Sequence, residues 1–528
     1  MATALPTRFA YTRSPDQDRA TPARHPVGVI GAGPGGLARA RDLAGRGMPV
    51  VVLDDSDRIG EGSRAICFAQ RTLEIFDRLG IGEAVLARGV PRKLGRVFHR
   101  DAEIYNFDLL PEAGHRMPAF VNIPQYTVEA MLVARARACP AIDPRWKNRL
   151  VGLAQTGDGV ALEIATPDGR YTLHADHVVA CDGARSPTRA LMGLDFEGRL
   201  FEDRFLIADV RMTGDMPTER WFWFDPPFHG GQSALLHRQP DDIWRIDLQL
   251  GWDADPEHEK RPEVVRPRVA RMLGHERFDL EWVSVYTFQC RRLARFRHGR
   301  VIFAGDSAHQ VSPFGARGAN SGVQDAENLA WKLAEVVAGR AGEALLDSYD
   351  IERGAAADEN ILNSTRATDF IAPRHPAAKR YREAVLALAA KAPFARRMVN
   401  SGRLSTPTTY DSPLSTPDVD PWNSPARPGS PVPDAPVAWR AGAGHLLQGL
   451  PATPTLIDFG SGVAPPPGVA HVRVGVDVED TRGLLAGRLD ATPGSAFLVR
   501  PDHHFAARWR HPEREAIVAA LARLRGQA

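Results

Sequence analysis

A chain of 528 residues in which 66 lysines and arginines nearly balance 64 aspartates and glutamates, for a formal charge of +2, carries no bulk bias toward nucleic acid or an anionic membrane. At about 100–200 residues per domain it has room for about two to four domains with ample core. No apolar run approaches the roughly 18 residues of a membrane span, and the start lacks a secretory apolar core. The cysteines, Cys67, Cys139, Cys181 and Cys290, are scattered without CxxC or metal-ligand spacing, so the expectations are a reducing cytoplasm and no metal site.

In chain order, the Arg-, Thr- and Pro-containing segment 1–24 reads as a disordered tail. Val27–Ile30 is then an apolar strand, Gly31-Ala32-Gly33-Pro34-Gly35-Gly36 a turn, and Leu37–Ala44 a run of helix formers. That strand-turn-helix context is what a dinucleotide fingerprint requires. Gly31 permits the tight turn, Gly33 lets the backbone approach a pyrophosphate, and Gly36 lets the helix pack on the sheet, while the helix N-terminus offers free N–H groups and partial positive charge. A second strand, Pro49–Leu53, ends in Asp54, placed to accept from ribose hydroxyls, with Asp55 the neighbouring alternative. An acid there points to an unphosphorylated adenosine ribose, as in FAD or NAD.

Val178–Ala180 runs into Cys181-Asp182-Gly183-Ala184-Arg185, another strand and turn. From Phe205 to Gln289 apolar and polar residues alternate, as in Trp221–Phe224 and Trp244–Leu250, which predicts an antiparallel sheet. Arg245, Asp247 and Gln249 share one face of their strand, opposite Trp244, Ile246 and Leu248, and either face could look at a cofactor. Val301–Ala304 ends in Gly305-Asp306, followed by Pro313, Gly315, Gly318, Asn320 and Gly322 and a helix over Val323–Val337. Ser405–Pro436 reads as an extended linker, and the strands and closing helix after it contain no cysteine for thiol redox chemistry.

Together the Gly31–Gly36, Asp182-Gly183 and Gly305-Asp306 segments resemble the three signatures of the FAD-dependent aromatic hydroxylases, single-component flavoprotein monooxygenases of the para-hydroxybenzoate and phenol hydroxylase type. The resemblance covers residues 25–370. With the patterns above, it implies a mixed α/β and α+β fold. A Rossmann-like FAD-binding domain is split over 25–200 and 296–400, an antiparallel-sheet substrate domain spans 201–295, 401–430 is a linker, and 431–528 is a thioredoxin-like C-terminal domain, with a homodimer left open.

Carried over by residue, the resemblance implies that Gly31, Gly33, Pro34, Gly36 and Asp54 hold the adenine dinucleotide, and that Gly305 and Asp306 hold the ribityl chain. Gly318, Ala319 and Asn320 then border the flavin pyrimidine, and Pro313 lies against the reactive edge. Asp182 and Gly183 serve the pyrophosphate and the nicotinamide cofactor, Arg64 the phosphates, and Gln125 the flavin side chain. His237 and Gln239 align where one branch binds a substrate carboxylate, Arg245 with an arginine near the flavin, and Asp247 with an aromatic substrate contact. Gln239 is not the arginine of that branch, which argues against a benzoate held in the same way. His229, His237, Tyr286 and Gln289 are candidates to bind or deprotonate a phenol, with His237, Arg245 and Pro313 the catalytic candidates.

Ser312, Phe314 and Arg317 depart from the para-hydroxybenzoate branch. The wording Val311–Asn320 is closer to enzymes such as 3-(3-hydroxyphenyl)propionate hydroxylases. The implied reaction reduces FAD with NADH or NADPH, forms a C4a-hydroperoxide with dioxygen, and hydroxylates a small phenolic ring. The alternatives on this fold are another flavoprotein oxidoreductase (epoxidase, halogenase or dehydrogenase) and a non-catalytic binding protein.

Overall fold

The structure is a computed structural model that describes residues 7–62, 64–214, 217–399 and 404–527. The elements that build the site are, in chain order, β1 (Ala23–Ile30), α1 (Pro34–Gly45), β2 (Val50–Asp54), β3 (Ile142–Trp146), β4 (Gly169–Ala180), β5 (Glu197–Arg211), β6 (Arg220–Phe224), β7 (Ser233–Arg238), β8 (Ile243–Leu250), α2 (Pro262–Leu273), β9 (Asp279–Arg292), β10 (Val301–Phe303), α3 (Gly318–Val337) and α4 (Ala344–Ile371).

Five of these strands form a parallel core in the order β10-β4-β1-β2-β3. Their residues are apolar in unbroken runs, Val50 to Leu53 and Val178 to Ala180 all being buried, because helices and loops cover both faces of such a sheet. The chain moves one way from β1 to β2 and the other way to β4, so the order reverses at β1. A crevice at the carboxyl ends of β1 and β4 is where doubly wound sheets bind ligands, and Gly31 and Asp182 stand at those ends.

The second sheet has eight strands, and β9-β5-β8-β7-β6 are successive neighbours in it. It extends beyond the expected 201–295 segment, because Leu94–His99 pairs with β6 and Ala102–Asp108 closes the edge. The period of two separates its faces. Trp244, Ile246 and Leu248 pack with Leu206, Ala208 and Leu236 against Val265 and Val269 of α2, which leaves Arg245 and Asp247 on the face toward the parallel domain.

Residues 7–24 are not the disordered tail that their composition suggests. Phe9 stacks on Trp146 with ring centroids 4.3 Å apart, and its amide donates to the Asp57 carbonyl at 2.6 Å. Tyr11 reaches Gln17 and Thr166, so two aromatic anchors order a polar segment. Residues 1–6 lie outside the described residues. The segment after residue 404 is irregular but packed, with Tyr410 and Leu414 buried. It leads to a C-terminal sheet in the order Ala470–Arg473, Thr455–Asp458, Ala496–Val499, Phe505–Trp509.

A buried ionic network joins that C-terminal unit to the rest. Arg500 donates to both Glu352 oxygens at 2.7 and 2.9 Å and to Asp502 at 2.7 Å, and Lys332 reaches Glu352 at 2.7 Å. Arg71 extends the chain of contacts from the Asp502 carbonyl to Glu327. Burial alone would raise the Glu352 carboxyl, but Arg500 and Lys332 outweigh it and hold it well below the usual range. Burial pulls Lys332 down to about 8 against the opposing pull of Glu352.

Candidate active site

The glycine turn has the geometry its sequence implies. Gly31 has φ +102°, and a Cβ there would lie 2.4 Å from the Cys181 carbonyl oxygen; a Cβ on Gly36 would lie 2.0 Å from the Gly31 oxygen. Gly33 is different, because a Cβ there would meet nothing within 4 Å. Its openness lies at the N-terminus of α1, where Gly33 provides no side-chain cap, so free amides face vacant room. Asp54 sits at the end of β2, yet its oxygens accept from the Ala32 amide at 2.6 Å and the Ser56 amide at 2.9 Å. Its first role is thus to brace the turn, and burial pushes its carboxyl up to about 6. Asp182 accepts from the Thr188 amide at 2.9 Å while its other oxygen is buried without a partner; Gly183 has φ +78° and open space at its Cβ.

The Gly305-Asp306 loop is held from behind by Asp325, which sequence reasoning missed. Asp325 accepts from the Gly305 amide at 2.9 Å, His309 Nε2 at 2.7 Å and Arg353 Nε at 2.6 Å. Burial would raise its carboxyl, but His309 and Arg353 outweigh burial and keep it ionised. The one available signal was the density of polar residues, Gln324, Asp325, Glu327 and Asn328, at the start of a long helix. Asp306 itself makes no side-chain hydrogen bond among the described residues. It is accessible to solvent, yet burial is the main influence on its carboxyl, raising it. The two facts together describe a side chain lining a deep cleft, not an outer surface.

Gly318 and Ala319 form the first turn of α3, which has no side-chain cap either. Gly35 comes within Cβ contact of the Gly322 oxygen at 3.5 Å, so the N-terminal turns of α1 and α3 converge. Asn320 turns its side chain away into protein, accepting from the Ala69 amide at 2.8 Å and donating to the Cys67 carbonyl at 2.9 Å. Pro313 is exposed in the loop ahead of it, and Ser312 is tied to α4 through Thr368 at 2.9 Å. Arg64 is exposed and close enough to draw the Asp306 carboxyl downward. Gln125 accepts from the Ala65 amide at 3.3 Å and donates to Glu129 at 2.8 Å, clipping the Arg64 loop to its helix.

A group with a pyrophosphate and a polyhydroxylated chain fits this cleft: two uncapped helix N-termini, an open glycine cradle, and an unpartnered carboxylate lie along it. Residues 24–364 match the family described as FAD binding domain. The chain belongs to that family. It is 31% identical over 391 residues, 74% of its own length and 69% of the relative's, to a 3-(3-hydroxy-phenyl)propionate/3-hydroxycinnamic acid hydroxylase of Mycolicibacterium smegmatis. A flavin-dependent monooxygenase solved with FAD and substrate shares the fold at a TM-score of 0.82, with 23% identity over 96% of this chain and 100% of that one. The p-nitrophenol 4-monooxygenase of Pseudomonas putida aligns at a TM-score of 0.65 and 27% identity over 73% and 99% of the two chains. The chain is therefore a flavin-dependent monooxygenase.

In this monooxygenase the second sheet presents a polar row to the cleft. Arg220, His237, Arg245 and Asp209 are successive cross-strand neighbours, and Phe222, Leu235, Asp247 and Ile207 form the next row on the same face. His237 Nε2 lies 3.7 Å from Asp247, while His237 Nδ1 and Asp247 Oδ1 are buried without partners. Burial, then Arg220, Arg92 and Arg245, press the His237 pKa well down. Burial pushes Asp247 up to about 6, with Arg245 opposing.

Other expected members are placed elsewhere or engaged. Arg245 donates to Asp209 at 3.3 Å and to the Arg64 carbonyl at 2.8 Å, so it joins the two domains. Gln239 is buried and donates to Asp209 at 3.1 Å. His229 is not in this site: it donates to the Gln249 carbonyl at 2.6 Å and feels Arg268 and Arg271 of α2, on the sheet's far side. Tyr286 shares a strand face with Phe288 and packs in the aromatic cluster with Phe205 and Phe314. Gln289 falls on the alternate face of β9, its Oε1 buried and unpartnered. Sequence reasoning also missed Arg220 and Arg92, whose neighbours along the chain give no hint of what they face.

Proposed function

We propose that this monooxygenase hydroxylates a phenolic aromatic ring, using NADH or NADPH as reductant and dioxygen as oxidant. The observation that carries the reading is the His237–Asp247 pair, enclosed on the cleft face of an aromatic-rich sheet. FAD, when bound, supplies electron storage and oxygen activation. The remaining tasks belong to the chain. His237 is neutral at physiological pH and its Nδ1 is free to take a phenolic proton, while Asp247 stands at Nε2 to stabilise the imidazolium that results. A ring that has lost that proton is the better nucleophile. Phe222, Phe224 and Phe314 keep water from the reacting edge, and the Pro313 loop and the first turn of α3 fix where the flavin ring would sit. Asp182, Gly183 and Arg64 are assigned to the dinucleotide phosphates. The C-terminal unit is read as thioredoxin-like and as a packing module.

If Asp247 must be ionised, kcat/KM should rise with pH through about 6 and be lost below it. Asp247→Asn should remove that acid limb and lower kcat by about 10²–10⁴-fold. A pH–rate profile unchanged by the substitution would sink the assignment. Asp306→Ala, which deletes a carboxylate available to ribityl hydroxyls, should weaken FAD by about 1.5–3 kcal/mol. Fluorometric titration of the apoprotein measures this, and an unaltered dissociation constant would remove Asp306 from the site. A screen of phenols for substrate-stimulated NAD(P)H loss tests the function as a whole.

A further inference from the structure

A cavity of about 500 Å³ lies between the second sheet, the Phe314-Gly315 loop and α4. Its walls include Phe107, Phe222, Phe224, Phe314 and Phe370, and Arg220 lines it as well. Arg220 differs from Arg96 and Arg245, which are paired, and from Arg366 and Arg397 at the cavity wall, which are exposed. Arg96 is paired with Glu219 and Glu103, and Arg245 with Asp209. Arg220 has no hydrogen bond and no carboxylate within 4 Å among the described residues, and its Nε is shielded from solvent without a partner. Its closest charged company includes a second cation, Arg92, whose Nη1 is likewise buried and unpartnered. Burial first, and then Arg92, draw Arg220 down to about 10 while Asp247, beyond 4 Å, pulls the other way, so it remains a cation at neutral pH with no carboxylate in contact.

A buried charge without a counterion is expensive, and folded proteins retain one chiefly where a ligand completes the pair. Arg220 also adjoins His237 across the β6–β7 pair, so whatever it binds lies next to the site proposed for phenol ionisation. We propose that Arg220 is an anion anchor and that the substrate is an aromatic acid, a hydroxylated ring bearing a carboxylate that pairs with Arg220 while the ring lies among Phe222, Phe224 and Phe314. The proposal rests on the hydroxylase reading above. A guanidinium engages a carboxylate through two parallel hydrogen bonds, which an ammonium cannot reproduce. The cavity also falls within the roughly 300–1,000 Å³ of typical ligand pockets, which leaves space for a side chain beside one ring.

The test compares two probes on the FAD-loaded enzyme, 3-(3-hydroxyphenyl)propionate and its neutral carboxamide, in wild type, Arg220→Gln and Arg220→Lys. Binding is followed by flavin absorbance, and flavin content reports whether each variant is folded. The acid should lose about ten- to a hundredfold in affinity in Arg220→Gln, with partial recovery in Arg220→Lys, while the carboxamide binds all three alike. Equal weakening of acid and amide, no change in either, or failure of the acid to bind wild type would overturn the anchor. Arg220-dependent binding of the acid without substrate-stimulated NAD(P)H oxidation or hydroxylated product would instead leave the anchor standing and remove the hydroxylase reading.

Discussion

Arg500→Ala is expected to cost about 3–5 kcal/mol of stability, because it strands two buried carboxylates, Glu352 and Asp502, in a site that solvent does not reach. Lys332 would still neutralise part of Glu352, but nothing else among the described ion pairs serves Asp502 as directly. The loss should appear as earlier unfolding and as proteolytic release of the segment beyond residue 404, since Arg500 is a principal bond between the C-terminal sheet and α4. Replacing the set together, Arg500→Met and Lys332→Met with Glu352→Gln and Asp502→Asn, should recover much of the loss, because no member of the network is then left as an unpaired charge. Thermal denaturation and limited proteolysis of both variants measure this. A single variant as stable as wild type would mean that the network does not hold the unit in place.

The second large effect concerns the glycine turn and separates folding from cofactor binding. Gly33→Val should leave a folded protein that does not retain FAD, since the added side chain meets no protein atom within 4 Å of its Cβ and projects into the cradle. Gly36→Ala should fail in another way. Its methyl would overlap the Gly31 carbonyl at 2.0 Å, so α1 must shift, and overpacking of this kind costs typically about 1–3 kcal/mol before any ligand is considered. Circular dichroism with flavin absorbance after reconstitution distinguishes the two. Gly33→Val that binds FAD normally would remove the cradle from the cofactor site.

What the chain disclosed in advance was the local geometry. Gly31, Gly33 and Gly36 are read within one turn of chain, and Gly305-Asp306 follows its strand directly, so neighbours in sequence suffice to define them. The cleft face of the second sheet was not legible. It depends on which partner each strand meets, and a slip of one residue would exchange Asp247 for Ile246 on that face. Arg220 and His237 become neighbours only through the β6–β7 pairing. His229 was misplaced for another reason: it lies in the short helical turn Pro227–His229 between β6 and β7, off the strands, and bonds the Gln249 carbonyl. Composition failed at residues 7–24, where Phe9 and Tyr11 outweigh a polar background. Asp54 and Asn320 were found at the expected places but brace backbone there, a second use that a motif does not reveal.

Turnover by this flavin-dependent monooxygenase should insert one oxygen atom from dioxygen into a phenolic ring. The most direct measurement supplies the FAD-loaded enzyme with NAD(P)H, a panel of hydroxylated aromatic acids and isotopically heavy dioxygen, and follows product by mass spectrometry. The expected result is one labelled oxygen per product, close to one product per NAD(P)H, and oxidation of NAD(P)H accelerated by the substrate. Unlabelled aromatic compounds recovered unchanged across the panel, with a non-aromatic ketone or alkene taking up the label, would contradict it.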